Sequence, residues 1–350
     1  MQGLMYEGPG QLRMMDVKDP VPAAGEALIR VTACGICGSD VHGYLGTTGR
    51  RTPPMVMGHE FVGVVDRLGP GVTRVRPGDR VAVQPLIFCG TCPACRQGLT
   101  NRCPVRSMFG VLQVNGAMAE RIAVPERLIY ALPSSVDDVH GSLLEPLAVA
   151  YSAVRRAGSA EAQYALVIGA GTIGLMVVQM LRSLRPGTKI LVMDVNARRL
   201  LLARELGAAD TLVPPGDDIK RWLAAATASE GVSLAFEVVG AAATVQQALA
   251  ALEPGGTCVW VGNAARMIEL NMQEVVTREL DIRGTYAYTH AAFGEALNIL
   301  ASGRLNLDPM ISRVAPLKEG PALFEKLAQG KDNLIKAILT NDAHREEAGR

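Results

Sequence analysis

The sequence predicts an α/β chain of two domains, an irregular mainly β part over residues 1–150 and a doubly wound parallel sheet over residues 151–289. Three observations carry that expectation. The first 150 residues break into short apolar runs between Gly and Pro turns. From Tyr164 onward, strand-like runs alternate with helical patterns, the signature of parallel strands joined by crossover helices. Four cysteines fall within fifteen residues, Cys89-Gly-Thr-Cys92-Pro-Ala-Cys95 and then Cys103, which reads as a clip on a loop. A length of 350 residues fits about two domains on a prior of ~150 residues each.

In the first part, Ala27-Leu-Ile-Arg-Val31, Phe61-Val-Gly-Val-Val65 and Arg80-Val-Ala-Val83 read as strands, separated by turns such as Arg76-Pro-Gly-Asp79. In the second, Tyr164-Ala-Leu-Val-Ile168 has the continuous apolar character of a strand buried on both faces. The uncharged stretch Ala165 to Leu181 is slightly short for a membrane span. Gly169, Gly171 and Gly174 interrupt it, so a strand, a turn and a buried helix fit better. Lys189-Ile-Leu-Val-Met-Asp194, Asp210-Thr-Leu-Val213, Leu234-Ala-Phe-Glu-Val-Val239, Thr257-Cys-Val-Trp-Val261 and Leu280-Asp-Ile-Arg-Gly284 follow as strands. Ala197–Leu206, Ile219–Ala228 and Ala242–Leu252 are the intervening helices.

Composition narrows the function classes. Hydrophobic residues make up 49%, enough for sizeable cores, and 35 Lys plus Arg balance 34 Asp plus Glu. With no basic patch or single-sign run, nucleic acid and anionic membranes are not expected partners. Met1 to Glu7 offers neither the basic region nor the apolar core of an export signal, so a reducing cytoplasm is the expected compartment. There, seven cysteines are better explained as metal ligands and buried thiols than as bridges.

Two-residue gaps let the thiolates of Cys89, Cys92 and Cys95 turn toward one point, and Cys103 closes a tetrahedron around zinc. Four sulfurs leave no position for substrate, so this is a structural site; a disulfide pair or four unrelated thiols are the bland alternatives. A second, split constellation consists of Cys34-Gly-Ile-Cys37-Gly-Ser39-Asp40-Val-His42 and Gly58-His59-Glu60. Alone, Cys34 and Cys37 could be a redox pair and His59 an ordinary core histidine. Together they supply sulfur, imidazole and carboxylate, the inventory of an open catalytic zinc site in which only one of the two cysteines need bind. Asp40 is placed to take the free ring proton of His59. Glu145, in Leu143-Leu-Glu-Pro-Leu147, lies at the domain junction; its bland reading is a surface glutamate at a helix start.

Gly169-Ala-Gly171-Thr172-Ile173-Gly174 sits between a strand and a helix, with Asp194 closing the next strand twenty residues on. Gly169 permits the tight turn, Gly171 lets backbone approach a pyrophosphate, and Gly174 allows close helix packing. Asp194 would accept the adenosine ribose hydroxyls and repel a 2′-phosphate, so NAD is preferred over NADP. Arg198 and Arg199 temper that preference, because a guanidinium welcomes phosphate or packs on adenine.

With these segments in this order over nearly the whole chain, the sequence resembles the zinc-dependent medium-chain dehydrogenase/reductase family, closest to its polyol (sorbitol-like) dehydrogenase branch. The resemblance implies a GroES-like catalytic domain, to which residues 290–350 return, and a Rossmann domain. It implies that Cys37, not Cys34, binds the catalytic zinc with His59. Glu145 binds directly or through water, and Glu60 alternates with it. Ser39 would hydrogen-bond the substrate hydroxyl, and His42 would complete a proton path through the cofactor ribose to solvent. Two zincs per chain, a small alcohol or ketone substrate, and a homo-oligomer (dimer or tetramer) follow from the same source. Ala287 stands where sorbitol-type enzymes usually place an arginine, which weakens the expectation of an extended-polyol grip. Tyr44, Phe109 and Tyr286 could line the cleft, but core packing is the expected role for each. The expected reaction is hydride transfer between a secondary alcohol and NAD. Alternatives are a sugar-phosphate or amino-alcohol dehydrogenase, an aldehyde reductase, or a non-catalytic NAD-binding sensor.

Overall fold

The computed structural model describes residues 1–158, 162–214, 218–227, 231–330 and 334–341. Ala228, the end of one expected helix, and the part of the 290–350 segment beyond 341 lie outside the described residues. The chain divides into two compact units. One joins Met1–Glu145 with Thr289–Gly303 and Ile311–Arg350, and the other joins Pro146–Tyr288 with Arg304–Met310.

The first unit is built around the strand Glu26–Ile36. Its eleven residues pair antiparallel with Glu60–Leu68 on one edge. On the other edge they are long enough for two partners, Arg121–Pro125 along the first half and Lys336–Thr340 along the second. Ile311–Pro316, Arg80–Val83 and Ile129–Ala131 complete this sheet among the described residues. The runs read from sequence, Ala27–Val31 and Phe61–Val65, are the apolar centres of these longer strands; the extra residues include Cys34, Gly35 and Glu60, whose types give no strand signal of their own. Leu28, Ile29, Val62 and Val81 are fully buried, each contributing about 1.5–3 kcal/mol of burial.

The helix His290–Ala301 is tied into this unit at its first turn. Thr289 caps it by accepting the Ala292 N–H at 3.1 Å. The His290 N–H donates to Thr100 Oγ1 at 2.8 Å, its Nδ1 lies 2.7 Å from Gln84 Oε1, and Tyr130 Oη donates to its carbonyl at 2.8 Å. Thr100 lies between Cys95 and Cys103, so the four-cysteine loop and the returning helix share one network.

The second unit is a six-stranded sheet in the order Asp210–Leu212, Lys189–Met193, Tyr164–Ile168, Val232–Glu237, Leu252–Trp260, Asp281–Gly284, with every pair parallel. The first strand in sequence sits mid-sheet and the chain winds outward both ways, the doubly wound Rossmann arrangement. The long uncharged stretch resolves into the strand Tyr164–Ile168 and the helix Thr172–Leu184. Leu252, read as a helix end, instead begins a strand that runs through Glu253 and Pro254. Its pairing with Val232 precedes a register shift, a local irregularity that periodicity does not reveal. Arg304–Met310 goes with this unit, where the Asn306 N–H donates to Gln179 Oε1 at 3.0 Å. Tyr44 and Phe109 are core residues, but Tyr286 is 45% exposed, contrary to the core expectation; it sits beside Ala287, whose φ of 47° belongs to a tight turn. Among the described residues no helix is long and apolar enough to cross a membrane.

Candidate active site

Two groups of metal-type ligands converge among the described residues, Cys37 with His59 and Glu60, and Cys89 with Cys92, Cys95 and Cys103. Within each group the donor atoms lie within 4.8 Å of one another.

The first group follows from strand register. Gly35 pairs with Glu60 across the two central strands, so Cys37, just past the end of one, meets His59, just before the start of the other. Gly35 leaves room for the Glu60 carboxylate, since a Cβ at that position would lie 2.2 Å from Glu60 Oε2 and the carboxylate would have to move. Cys37 also opens the helix Gly38–Tyr44, which carries Ser39, Asp40 and His42. Asp40 is fully buried and its Oδ2 accepts the Cys37 N–H at 3.2 Å. Its Oδ1 lies 3.4 Å from His59 Nδ1 and accepts Arg51 Nη2 at 2.7 Å. Burial alone would raise the Asp40 pKa; His59 and Arg51 outweigh it and hold the carboxyl well below the usual range. The residues fit a metal. Glu60 Oε1 is buried without a hydrogen-bond partner beside a thiol and an imidazole, a donor set suited to zinc. Cys34 is buried, outside this group, and its thiol is pushed up chiefly by burial, which makes it inert rather than redox-active.

Glu145 stands in the first turn of the helix Leu144–Arg156 and is buried at 7% exposure, so the surface reading of it fails. It is not in the converging group, whereas Glu60 is. Ser39 and His42 are both exposed on the short helix, three residues apart and therefore neighbours on its surface.

The second group is closed by sulfur. Cys89 Sγ lies 3.9 Å from Cys95 Sγ and 3.6 Å from Cys103 Sγ. A disulfide needs about 2.05 Å, whereas four thiolates each about 2.3 Å from one tetrahedral ion stand roughly 3.8 Å apart. Backbone amides of Cys92 and Cys95 donate to Cys89 and Cys92 sulfurs at 3.3 and 3.4 Å, as thiolates require. Amides of Thr91 and Cys92 bring the Cys89 thiol down to about 6. These residues too fit a zinc ion.

In the second unit, Gly169 has φ of 104° at the end of the strand Tyr164–Ile168, and Gly171 caps the helix that begins at Thr172 and Ile173. A Cβ on Gly174 would fall 1.7 Å from the Gly169 carbonyl, so only glycine brings helix and turn this close. Asp194, 9% exposed, accepts the Ala170 N–H at 2.6 Å and the Asn196 N–H at 2.7 Å, which ties the turn to the end of the next strand. Arg199 Nη1 lies 3.9 Å from where a Gly171 Cβ would be, and its Nε is buried without a hydrogen-bond partner. Glycine turn, helix amides and carboxylate suit a dinucleotide.

The alcohol dehydrogenase GroES-like domain matches residues 23–134, and the zinc-binding dehydrogenase family matches residues 172–302. Sorbitol dehydrogenase of Gallus gallus is 33% identical over 339 residues, covering 95% of this chain and 94% of that protein. The chain belongs to the zinc-type medium-chain dehydrogenase/reductases, in their polyol dehydrogenase-like branch. This dehydrogenase is an oxidoreductase acting on CH–OH groups. Two solved structures are similar throughout. One, described as a zinc-binding dehydrogenase from Sinorhizobium meliloti 1021, is bound to NADP (32% identity, TM-score 0.88, 97% of this chain and 98% of that one). The other, a short chain alcohol dehydrogenase from Escherichia coli CFT073, is complexed with NADH (28% identity, TM-score 0.90, 97% and 99%).

Sequence reasoning missed two buried cations of the dehydrogenase. Lys336, 1% exposed, donates to the Ile36 carbonyl at 3.1 Å and pairs with Glu60 Oε2. Arg51, its side chain 2% exposed, pairs with Asp40. A buried basic residue leaves no local pattern. The available signals were Lys336 amid the apolar run Ile335 to Leu339, and Arg51 amid turn-forming residues.

Proposed function

We propose that this dehydrogenase interconverts a secondary alcohol of a polyol, diol or sugar alcohol and the corresponding ketone, with NAD as hydride acceptor and two zincs per chain. The convergence of Cys37, His59 and Glu60 on one point carries the reading. Those residues, with Glu145 or Glu60 as the carboxylate, would hold the catalytic zinc, and Cys89, Cys92, Cys95 and Cys103 the structural one. Bound zinc supplies a Lewis acid that eases deprotonation of a hydroxyl, as it brings bound water to about 7.

The chain's own residues do the rest. Asp40, pinned by Arg51 and the Cys37 amide, faces His59 Nδ1, which leaves the other ring nitrogen for the ion. Lys336 compensates the charge of buried Glu60. Ser39 Oγ accepts the substrate's hydroxyl proton as its own proton passes to His42 and on to solvent. A bound dinucleotide would supply the acceptor for the carbinol hydride, and the chain's residues would hold it and handle the proton. Gly169, Gly171 and Gly174 with the Thr172 and Ile173 amides would cradle the pyrophosphate. Asp194 would accept the ribose hydroxyls, and Arg199 lies beside the turn. Asp194 favours NAD through like-charge repulsion of a 2′-phosphate.

The test is a screen of polyols, diols and sugar-alcohol phosphates with NAD and NADP in parallel, alongside metal analysis. Turnover of a secondary alcohol, faster with NAD, and two zincs per chain are expected. No turnover of any of these, or a single zinc, refutes the assignment. His59→Ala should abolish oxidation while NADH binding persists, and retained turnover would exclude His59 as a ligand. Size-exclusion chromatography should show a dimer or tetramer, the assembly expected from the resemblance.

A further inference from the structure

The strongest observation outside the roles already given is Arg51. Its backbone is held by the bridge to Leu112, with the Thr52 N–H donating to the Leu112 carbonyl at 3.1 Å and the Leu112 N–H to the Arg50 carbonyl at 2.8 Å. Its side chain runs under the helix Gly38–Tyr44, and Gly43 makes the passage, since a Cβ there would lie 2.4 Å from Arg51 Cγ. One nitrogen, Nη2, then serves two residues. It donates to Asp40 Oδ1 at 2.7 Å and to Ser39 Oγ at 3.2 Å, while Nη1 reaches the Arg50 carbonyl at 3.4 Å.

A guanidinium has donors only, so in the contact with Ser39 the hydroxyl oxygen must accept. One serine lone pair is therefore taken by a buried cation, the other is left for an incoming proton, and the serine's own O–H is turned away from Arg51. His42, three residues on along the same helix and exposed like Ser39, is its neighbour on the helix surface. We propose that Arg51 is a positioning residue for the proton relay: its pairing with Asp40 locks the guanidinium in place, and its bond to Ser39 orients the hydroxyl and stabilises the negative character that the oxygen takes on in transfer. The step balances. The substrate O–H breaks as a new Oγ–H forms, the old Oγ–H gives its proton by way of the ribose hydroxyl to His42, His42 releases one to solvent, and serine ends unchanged.

This inference rests on the alcohol-oxidation reading above. Its test is a double-mutant cycle on the zinc-loaded enzyme with Arg51→Lys and Arg51→Met, each alone and combined with Ser39→Ala. Measured quantities are kcat, KM, the solvent deuterium isotope effect, and zinc content. In the Ser39 background, Arg51→Met should lower kcat by about tenfold to a hundredfold, within the range of a general acid–base contribution, with KM nearly unchanged. The solvent isotope effect should rise as proton transfer becomes limiting, and Arg51→Lys should restore part of the loss. In the Ser39→Ala background the same replacements should change kcat by less than about twofold, because coupled residues are non-additive. Equal losses in both backgrounds overturn the proposal, as does an unchanged isotope effect. Loss of zinc in Arg51→Lys also overturns it, since Arg51 would then act through Asp40 on the metal site. If Arg51→Met does not fold, the Arg51→Lys pair decides by the same criterion. A wild-type enzyme that oxidises no alcohol refutes the underlying reading and this inference with it; a working wild type with an additive cycle refutes this inference alone.

Discussion

Gly171→Ala separates nucleotide binding from folding in the second unit. Gly171 has φ −78° and ψ −171°, a conformation open to alanine, and the nearest atom to an added Cβ is Arg199 Nη1 at 3.9 Å. The methyl group meets only ordinary contact, so the cost in stability should be confined to the poorer N-cap that alanine makes, about 0.5–1 kcal/mol. The same methyl projects from the cap of the helix Thr172–Leu184, where a pyrophosphate would approach the backbone. Displacing the phosphates from one or two amide donors forfeits charge-assisted hydrogen bonds of about 1.5–3 kcal/mol each. At 1.4 kcal/mol per tenfold, NADH affinity should fall by about tenfold to ten-thousandfold. Fluorescence titration of NADH gives Kd, and thermal unfolding gives stability. A folded variant with a Kd within about threefold of wild type would refute the assignment of this turn to the dinucleotide. Gly174→Ala behaves differently, because its Cβ would lie 1.7 Å from a carbonyl oxygen. It should lose stability and binding together.

Replacing Cys103 by Ser removes a fully buried member of the four-sulfur group. Metal analysis should show one zinc fewer per chain and calorimetry a lower Tm, while unchanged metal content would exclude zinc from that loop. His290 is held neutral in the folded protein, its pKa lowered first by burial and then by Arg74 and Arg127. Its contribution to stability is therefore fully present above the unfolded value of about 6.5 and is lost as pH falls through the lower folded pKa. Tm of His290→Gln should show a shallower decline below pH 6.5 than wild type, and parallel curves would refute this.

The motifs confined to one loop could be read directly. Cys89, Cys92, Cys95 and Cys103 are drawn from fifteen residues, and Gly169 to Gly174 from six, so spacing alone restricts which atoms can meet. Cys37 and His59 were legible only as a combination of residue types, since their meeting depends on Gly35 standing opposite Glu60 in an antiparallel pair. Glu145 could be read from the chain as a helix-start residue, and its burial could not. Tyr286 has the side chain of a core residue and stands exposed, because the turn at Ala287 carries it outward rather than into a sheet face.

Taken alone, then, the amino-acid order determined the two kinds of domain, the four-sulfur loop and the dinucleotide turn, because each is encoded by residues close along the chain. Tertiary structure decided how charge is distributed around the Cys37–His59 pair. Lys336 reaches Ile36 across 300 residues and Arg51 comes up beneath the helix that bears Asp40 and Ser39. A buried cation is stable only opposite its carboxylate, and that opposition exists only once distant segments have packed together.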